Sequence, residues 1–371
     1  MGQSHFFFIT PTTSQPRYHR RIQACRDRGH AVTVCSFRRG LFEVNGFPPE
    51  IRVIDLGFLK GGNYLKRIIP LVRAGSRVGA LLRGSPGNGI LYCFGLDVAL
   101  LGLVIRPKGM KLVYEVGDII YLLAGQHRFT RAVMAALDRY VTRSADHVVL
   151  TSPGFVDHYR NFNPSGPVRV VENKVSKELL STPRPAEKDL HRPIRIGFVG
   201  LFQYLDCLLP LVEFAAGHEG FEVHFFGDGA GRAQLSAAAN RHPDRVFYHG
   251  PFRNPDDLPG IYRRIDFNYV VYDPDDDNVR VLTPNKLFES LFFAVPLIVA
   301  EGTLLAERVA VLGIGYPVDA RRIGSELERI FAGLTDETYA EMRATALAVP
   351  AEELVDESGR LMDALTGGAA S

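Results

Sequence analysis

Short apolar runs alternate with amphipathic stretches along nearly the whole chain. In the first half, runs over His5–Thr10, Ala31–Phe37, Ile51–Leu56, Ile90–Phe94, Lys111–Glu115, His147–Thr151 and Val168–Glu172 have the β-branched and aromatic content of strands. Between them, helical periodicity marks stretches near Arg17–Arg28, Leu65–Leu82, Val98–Ile105, Thr130–Ser144 and Gly154–Asn161. Continuous apolar strands separated by helices predict a parallel sheet covered on both faces. The alternation restarts at Ile194–Val199 and continues with strands at Glu222–Phe226, Val246–His249, Phe267–Tyr272, Pro296–Val299 and Gly315–Val318. The helices expected between these are Cys207–Ala216, Arg232–Arg241, Asp256–Arg264, Pro284–Phe293 and Leu304–Leu312, and the stretch beyond Ile323 reads as three more. The predicted fold is α/β, with two Rossmann-like halves in tandem.

A chain of 371 residues is longer than one domain usually holds. The polar, proline-bearing stretch Ser181–Lys188 reads as the linker. It divides the chain into domains over residues 1–185 and 186–350, with a helix and tail over 351–371. Charge supports the division. Residues 1–185 carry 26 Lys and Arg against 12 Asp and Glu, whereas residues 186–371 carry 17 against 29. A net charge of +2 thus hides a basic first half, suited to an anionic partner.

Several function classes drop out. No apolar run reaches the roughly 20 residues of a membrane-spanning helix. Phe6–Ile9 lacks a basic leader, so no secretory signal is expected. The four cysteines have no paired metal or redox spacing, which fits a reducing cytosol. No metal-ligand pattern stands out among the 11 histidines. Basic residues are not interleaved with aromatics as single-stranded nucleic-acid binding requires, so no nucleic-acid partner is expected.

Gly227-Asp-Gly229-Ala-Gly231 has the wrong spacing for a dinucleotide fingerprint and reads as a tight strand-to-helix turn. The first βα turn, Thr10–Pro16, has no glycine, which argues against nicotinamide or flavin binding there. Thr283-Pro-Asn-Lys-Leu-Phe-Glu289 is more informative. Its threonine and proline suit a helix start, and Lys286 and Glu289 are i, i+3 neighbours opposite the apolar stripe. A lysine in a first turn opposes the helix dipole unless an anion joins it, and the alternative is a solvated salt bridge. Asp273–Asp277 follows a strand and reads as a polar loop, with sugar or metal binding as the other possibility. Glu115 and Asp118 stand at a strand's carboxyl end, where open α/β sheets place ligand crevices, so either is a candidate general base.

These residues resemble a family. Ser14–Arg17, Arg20-Arg21 and Gly29–Val34 are similar to the first helix and second strand of bacterial GT-B-fold glycosyltransferases of the family 4-like group, which build polysaccharides and glycolipids. Ala145–Ser152 and Ile196–Gly200 are similar to the last strand of that group's first domain and the opening of its second. Pro284–Glu289, Val295–Ile298 and Gly302-Thr303 resemble its donor site.

The resemblance implies two facing Rossmann-like domains with a final helix, about Glu352–Leu365, crossing back to the first. It gives Lys286 and Glu289 contacts to donor diphosphate and ribose, and it places Gly200, Gly302 and Thr303 around the phosphates. Three positions depart from the pattern. Val281 stands where many members have a glutamate, Leu201–Tyr204 follow Gly200 without a basic residue, and Gly117 replaces a histidine before Asp118. Gln203, Tyr204, Tyr272 and Arg280 complete the expected donor site, with Arg280 supplying diphosphate charge. Asp118 is the expected base of an inverting transfer, with Glu115 in reserve. Inverting transfer has precedent by resemblance among GT-B glucuronosyltransferases.

The expected activity is metal-independent transfer of a hexosyl or uronosyl group from a UDP- or GDP-linked sugar, with no cofactor, to a lipid-linked or membrane-proximal glycan. The alternatives are a GT-B nucleotide-sugar epimerase and a binding or scaffold subunit without catalysis. Residues 60–83 contain Lys60, Lys66, Arg67, Arg73, Arg77 and Arg83 among apolar positions and no acidic residue. Such a segment suits an anionic membrane surface, so a cytoplasmic protein peripherally attached to the inner face of the membrane is expected. The other reading is a core-packing helix, and Pro70 and Gly75 argue against one unbroken helix there.

Overall fold

A computed structural model of the protein describes residues 3–40, 46–59, 67–85, 89–123, 128–185 and 188–367. The chain forms two units, one of residues 1–172 and 356–371 and the other of residues 173–355.

Unit 1 runs β1 (His5–Thr10), α1 (Pro16–Asp27), β2 (Ala31–Arg38), β3 (Val53–Phe58), α2 (Ile68–Arg83), β4 (Ile90–Phe94), α3 (Leu96–Ile105), β5 (Lys111–Val116), α4 (Arg128–Ser144), β6 (His147–Leu150), α5 (Val156–Arg160) and β7 (Val168–Val170). Its seven strands are all parallel, in the order β3-β2-β1-β4-β5-β6-β7. The central strands are apolar almost throughout because both their faces are covered: every residue of β4 is buried, as are Phe6–Thr10 of β1. Helices α2, α3 and α4 pack in succession, α2 on α3 and α3 on α4. Pro70 does not interrupt α2, because it lies in the first turn, where a missing N–H costs nothing, and Gly75 packs closely on Leu101 of α3. Lys60 and Lys66 of the basic segment lie outside the described residues.

Unit 2 runs β8 (Ile194–Leu201), α6 (Leu205–Gly217), β9 (Phe221–Asp228), α7 (Arg232–Arg241), β10 (Val246–Gly250), α8 (Leu258–Arg263), β11 (Phe267–Val270), α9 (Asp277–Val281), α10 (Asn285–Phe293), β12 (Leu297–Ala300), α11 (Leu304–Leu312), β13 (Gly315–Val318), α12 (Ile323–Ala332), α13 (Asp336–Ala348) and α14 (Ala351–Leu354). Its six strands are parallel in the order β10-β9-β8-β11-β12-β13. Helix α15 (Ser358–Thr366) belongs to unit 1.

The division between units falls at Glu172, upstream of the expected residue 185. The proline-bearing stretch is tied into unit 2 instead of hanging as a linker. Val175 bridges Val355, and the Arg184 guanidinium donates to the carbonyls of Leu291, Phe292, Ala346, Leu347 and Val349. Neither α10 nor α13 has a basic residue in its last turn, so Arg184 supplies the positive charge that both C-termini attract.

The expected single helix over Glu352–Leu365 is two helices. The chain breaks at Val355–Glu357, where Asp356 turns inward to meet Arg21. Beyond the break, Leu361, Met362 and Leu365 of α15 bury against the core that contains Tyr18, Ile22 and Cys25 of α1.

Candidate active site

The residues expected at a donor site lie at or beyond the carboxyl ends of the unit 2 strands. Gly200, next to last in β8, has φ +146°, and a side chain there would stand 3.5 Å from Lys286 Cε. The turn after β9 holds this loop in place. Gly227 lies so close to the Gly200 carbonyl that any Cβ would collide with it, while Phe202 N–H donates to Asp228 O and Gly231 N–H donates to Phe202 O. The glycine run is therefore a backbone-on-backbone contact that buttresses the Gly200 loop, as a structural turn should be.

Helix α10 presents Lys286 and Glu289, and both are buried, at 5% and 2% exposure. Lys286 Nζ donates to Glu289 Oε2 at 2.7 Å. Tyr262 OH donates to the same oxygen at 2.7 Å, and Asn285 Nδ2 donates to Oε1 at 2.6 Å. Behind them Asn268 Nδ2 donates to Tyr262 OH and to Ser290 Oγ. Burial first, and then the Glu289 charge, push the Tyr262 hydroxyl well above the usual tyrosine range. The ion pair is not the solvated one offered as the alternative but a dry one, because α10 is buried all round from Lys286 to Phe293 and has no outward polar side.

Tyr272 is half-buried beside Tyr204, with ring centroids 5.5 Å apart, and burial and then Glu289 raise its hydroxyl pKa. Tyr204 OH donates to Asp276 Oδ2 at 3.1 Å. Gln203 is exposed at the head of α6. The Asp273–Asp277 stretch is not a free loop: Asp276 caps α9 by accepting from Asn278 N–H, and Asp275 pairs with Arg321. Arg280, on α9 and largely exposed, donates to the Pro274 carbonyl and stands 3.8 Å from Asp277. Thr303 caps α11, accepting from Ala306 N–H and donating to Ala300 O, with Gly302 exposed just before it. A cavity of about 510 Å³ in unit 2 is lined by Asp206, Asp273, Asp275, Arg321 and Ser325 among others, and none of the expected donor residues line it.

In unit 1, β5 ends at Val116, and Asp118 lies exposed just beyond. Glu115 is fully buried. Arg17 Nε forms an ion pair with its Oε1 at 2.8 Å, Arg21 Nε donates to its Oε2 at 3.1 Å, and Tyr92 OH donates to Oε2 as well. Arg21 reaches on to Asp356, Ser358 and the Val171 carbonyl. Burial opposes the Arg21 charge, but Glu115 and Asp356 outweigh it and raise its pKa. A carboxylate committed to two guanidiniums inside the core is badly placed to accept a substrate proton, so Glu115 is an anchor of the fold, and Asp118 is the exposed carboxylate of the two. Gly117 makes room for this arrangement, since a Cβ there would run into the Arg17 guanidinium.

Sequence reasoning missed Tyr262, Asn268 and Ser290 behind Glu289, and the pairing of Glu115 with Arg21. No local spacing signals partners 27 or 94 residues apart. Among the described residues no three His, Cys, Asp or Glu side chains come together as metal ligands do.

Comparison with known proteins places this geometry in context. Residues 13–174 match the family of glycosyl transferase 4-like domains. The succinoglycan biosynthesis protein ExoL of Rhizobium meliloti (strain 1021) is 26% identical over 356 residues, covering 90% of this chain and 85% of that protein. Sucrose-phosphate synthase from Thermosynechococcus elongatus superposes with a TM-score of 0.74 at 15% identity, with 98% of each chain covered. Anabaena Alr3699/HepE in complex with UDP superposes with a TM-score of 0.66 at 14% identity, covering 98% of this chain and 99% of that one.

Proposed function

We propose that this chain, a glycosyltransferase of the bacterial 4-like kind with the GT-B fold, transfers a hexosyl or uronosyl group from a nucleotide diphosphate sugar to a membrane-proximal glycan or lipid-linked acceptor. The observation that carries the donor reading is the buried Lys286–Glu289 pair on α10, set against Gly200. That UDP is bound by the structurally similar HepE makes a UDP-linked donor the first to test, with GDP-linked sugars next.

The chain's own groups suit the chemistry. Lys286 and the N-termini of α10 and α11 suit the charge that builds on a departing diphosphate. Arg280, already turned toward Asp277, adds charge only if it leaves that carboxylate. Glu289, with Tyr262 and Asn285, offers acceptors and donors to ribose hydroxyls. Asp118 takes the proton of the acceptor hydroxyl as its oxygen bonds to the anomeric carbon and the bond from that carbon to the phosphate oxygen breaks. No resident cofactor or metal is invoked in these steps. The basic unit 1 serves an anionic membrane surface on the cytoplasmic side. No helix among the described residues is long and apolar enough to cross a membrane.

A thermal-shift screen with UDP-, GDP- and ADP-sugars tests the donor, since a ligand that binds the folded state alone raises its melting temperature. Stabilisation by one nucleotide series supports the reading. No response to any of the three overturns it, and conversion of free nucleotide sugar without acceptor replaces it with an epimerase.

A further inference from the structure

Helix α4 carries apolar side chains on both its inward and its outward side. Its inward side holds Val141 together with Asp138 and Thr142, all fully buried, and Asp138 accepts from Tyr114 OH at 3.0 Å and from Tyr159 OH at 2.8 Å. Its outward side carries Phe129, Val133, Leu137 and Tyr140, with Phe129 83% and Tyr140 61% exposed. These four recur at i, i+4, i+8 and i+11, so they form one stripe along three turns. A contiguous run of exposed apolar side chains along one helix face marks an interaction surface.

The charges beside the stripe select that partner. Arg128, Arg139 and Arg143 lie along one edge, again at helical spacing and all exposed. The one acidic residue in α4 is the buried Asp138. Val104 of α3 and Ile69 and Val72 of α2 extend the exposed apolar surface on the neighbouring helices, and Arg73, Arg77 and Arg83 extend the positive charge. A second copy meeting this face across a two-fold axis would bring two arginine-edged surfaces of the same sign together. An anionic bilayer satisfies both features at once, with apolar side chains at the acyl boundary and guanidiniums among the headgroups.

We propose that α4 is the element that docks unit 1 on an anionic lipid surface, inserting Phe129, Val133, Leu137 and Tyr140 while Arg128, Arg139 and Arg143 engage headgroup phosphates. This deepens the membrane reading given above and rests on it. It moves the principal contact from the basic segment over residues 60–83 to α4.

The chain has no tryptophan, so a single one introduced on α4 is a clean reporter. The Phe129→Trp variant should shift its emission to the blue and be quenched by brominated acyl chains on vesicles of phosphatidylglycerol and phosphatidylcholine. It should not respond on phosphatidylcholine alone. A Val311→Trp variant, 87% exposed in unit 2, should respond to neither. The triple variant Phe129→Glu, Val133→Glu, Leu137→Glu should lower the vesicle partition coefficient roughly tenfold or more while keeping its circular dichroism and its UDP affinity. An unresponsive Phe129→Trp reporter, or a triple variant that still binds while wild type binds equally well, overturns the role of α4 and leaves the membrane reading standing. Wild type that ignores anionic vesicles at low salt overturns both. A dimer in light scattering that the triple variant abolishes, without vesicle binding, reassigns the stripe to self-association.

Discussion

The Lys286–Glu289 pair offers a quantitative test of whether the proposed donor site is built on a buried ion pair. In Lys286→Met the Glu289 carboxylate stays at 2% exposure with only the neutral donors Tyr262 and Asn285. Breaking a buried pair from one side costs about 3–5 kcal/mol. Two remaining hydrogen bonds of about 0.5–1.5 kcal/mol each hold the loss to the lower end of that range. Glu289→Gln leaves Lys286 buried without a counter-charge but keeps an amide oxygen as acceptor beside it, so about 1–3 kcal/mol is expected. The double variant removes both charges and should lose about 2 kcal/mol less than the sum of the singles. Urea unfolding with hydrogen exchange read on the α10 amides confines the measurement to unit 2. Calorimetry with UDP under native conditions then separates lost binding from lost folding. Losses that add to within about 0.5 kcal/mol would refute the coupling and with it the idea of a pre-paired donor lysine.

Three further outcomes are expected. Asp118→Asn should slow transfer by roughly 100- to 10,000-fold, with donor affinity in calorimetry unchanged, and wild-type turnover would remove Asp118 from the mechanism. Burial pushes the Asp138 carboxyl up to about 6, so its ionisation opposes folding. Its stabilising share is full below the unfolded pKa near 3.8 and is lost as pH rises through about 6. The unfolding free-energy difference between Asp138→Asn and wild type, from urea titrations, should therefore shift in the variant's favour from pH 4 to pH 8, by up to about 3 kcal/mol. Arg184→Met should cost unit 2 about 3 kcal/mol or more in urea unfolding, because five carbonyls lose a charged donor at once.

Every strand of both sheets is legible in the amino-acid sequence, because fully covered parallel strands such as β4 and β12 are unbroken apolar runs between turn residues. Features set by partners distant in sequence are not legible. The unit boundary depends on Arg184 reaching carbonyls more than 100 residues away, and the kink at Asp356 depends on Arg21, 335 residues away. Lys286 and Glu289 were identifiable as a motif. Their burial was not, since an i, i+3 ion pair looks the same on a wet helix and a dry one. Glu115 and Asp118 are three residues apart in sequence, yet the end of β5 between them separates an anchor inside the core from an exposed carboxylate. The orientation of α4 could not be read because periodicity shows that a helix has an apolar side and says nothing about which way that side turns.

The return of α15 to unit 1 has a consequence for how the protein is made. Tyr18, Ile22 and Cys25 on α1 are covered by residues that follow the whole of unit 2 in the chain, and the buried Arg21 finds Asp356 and Ser358 there as well. During synthesis at about 5–20 residues per second, residues 173–355 take roughly 10–40 s to emerge, and unit 1 waits throughout with one flank of α1 bare. Unit 2 is contiguous and can close as soon as it clears the ribosome. The first domain to be started is therefore the last to be finished.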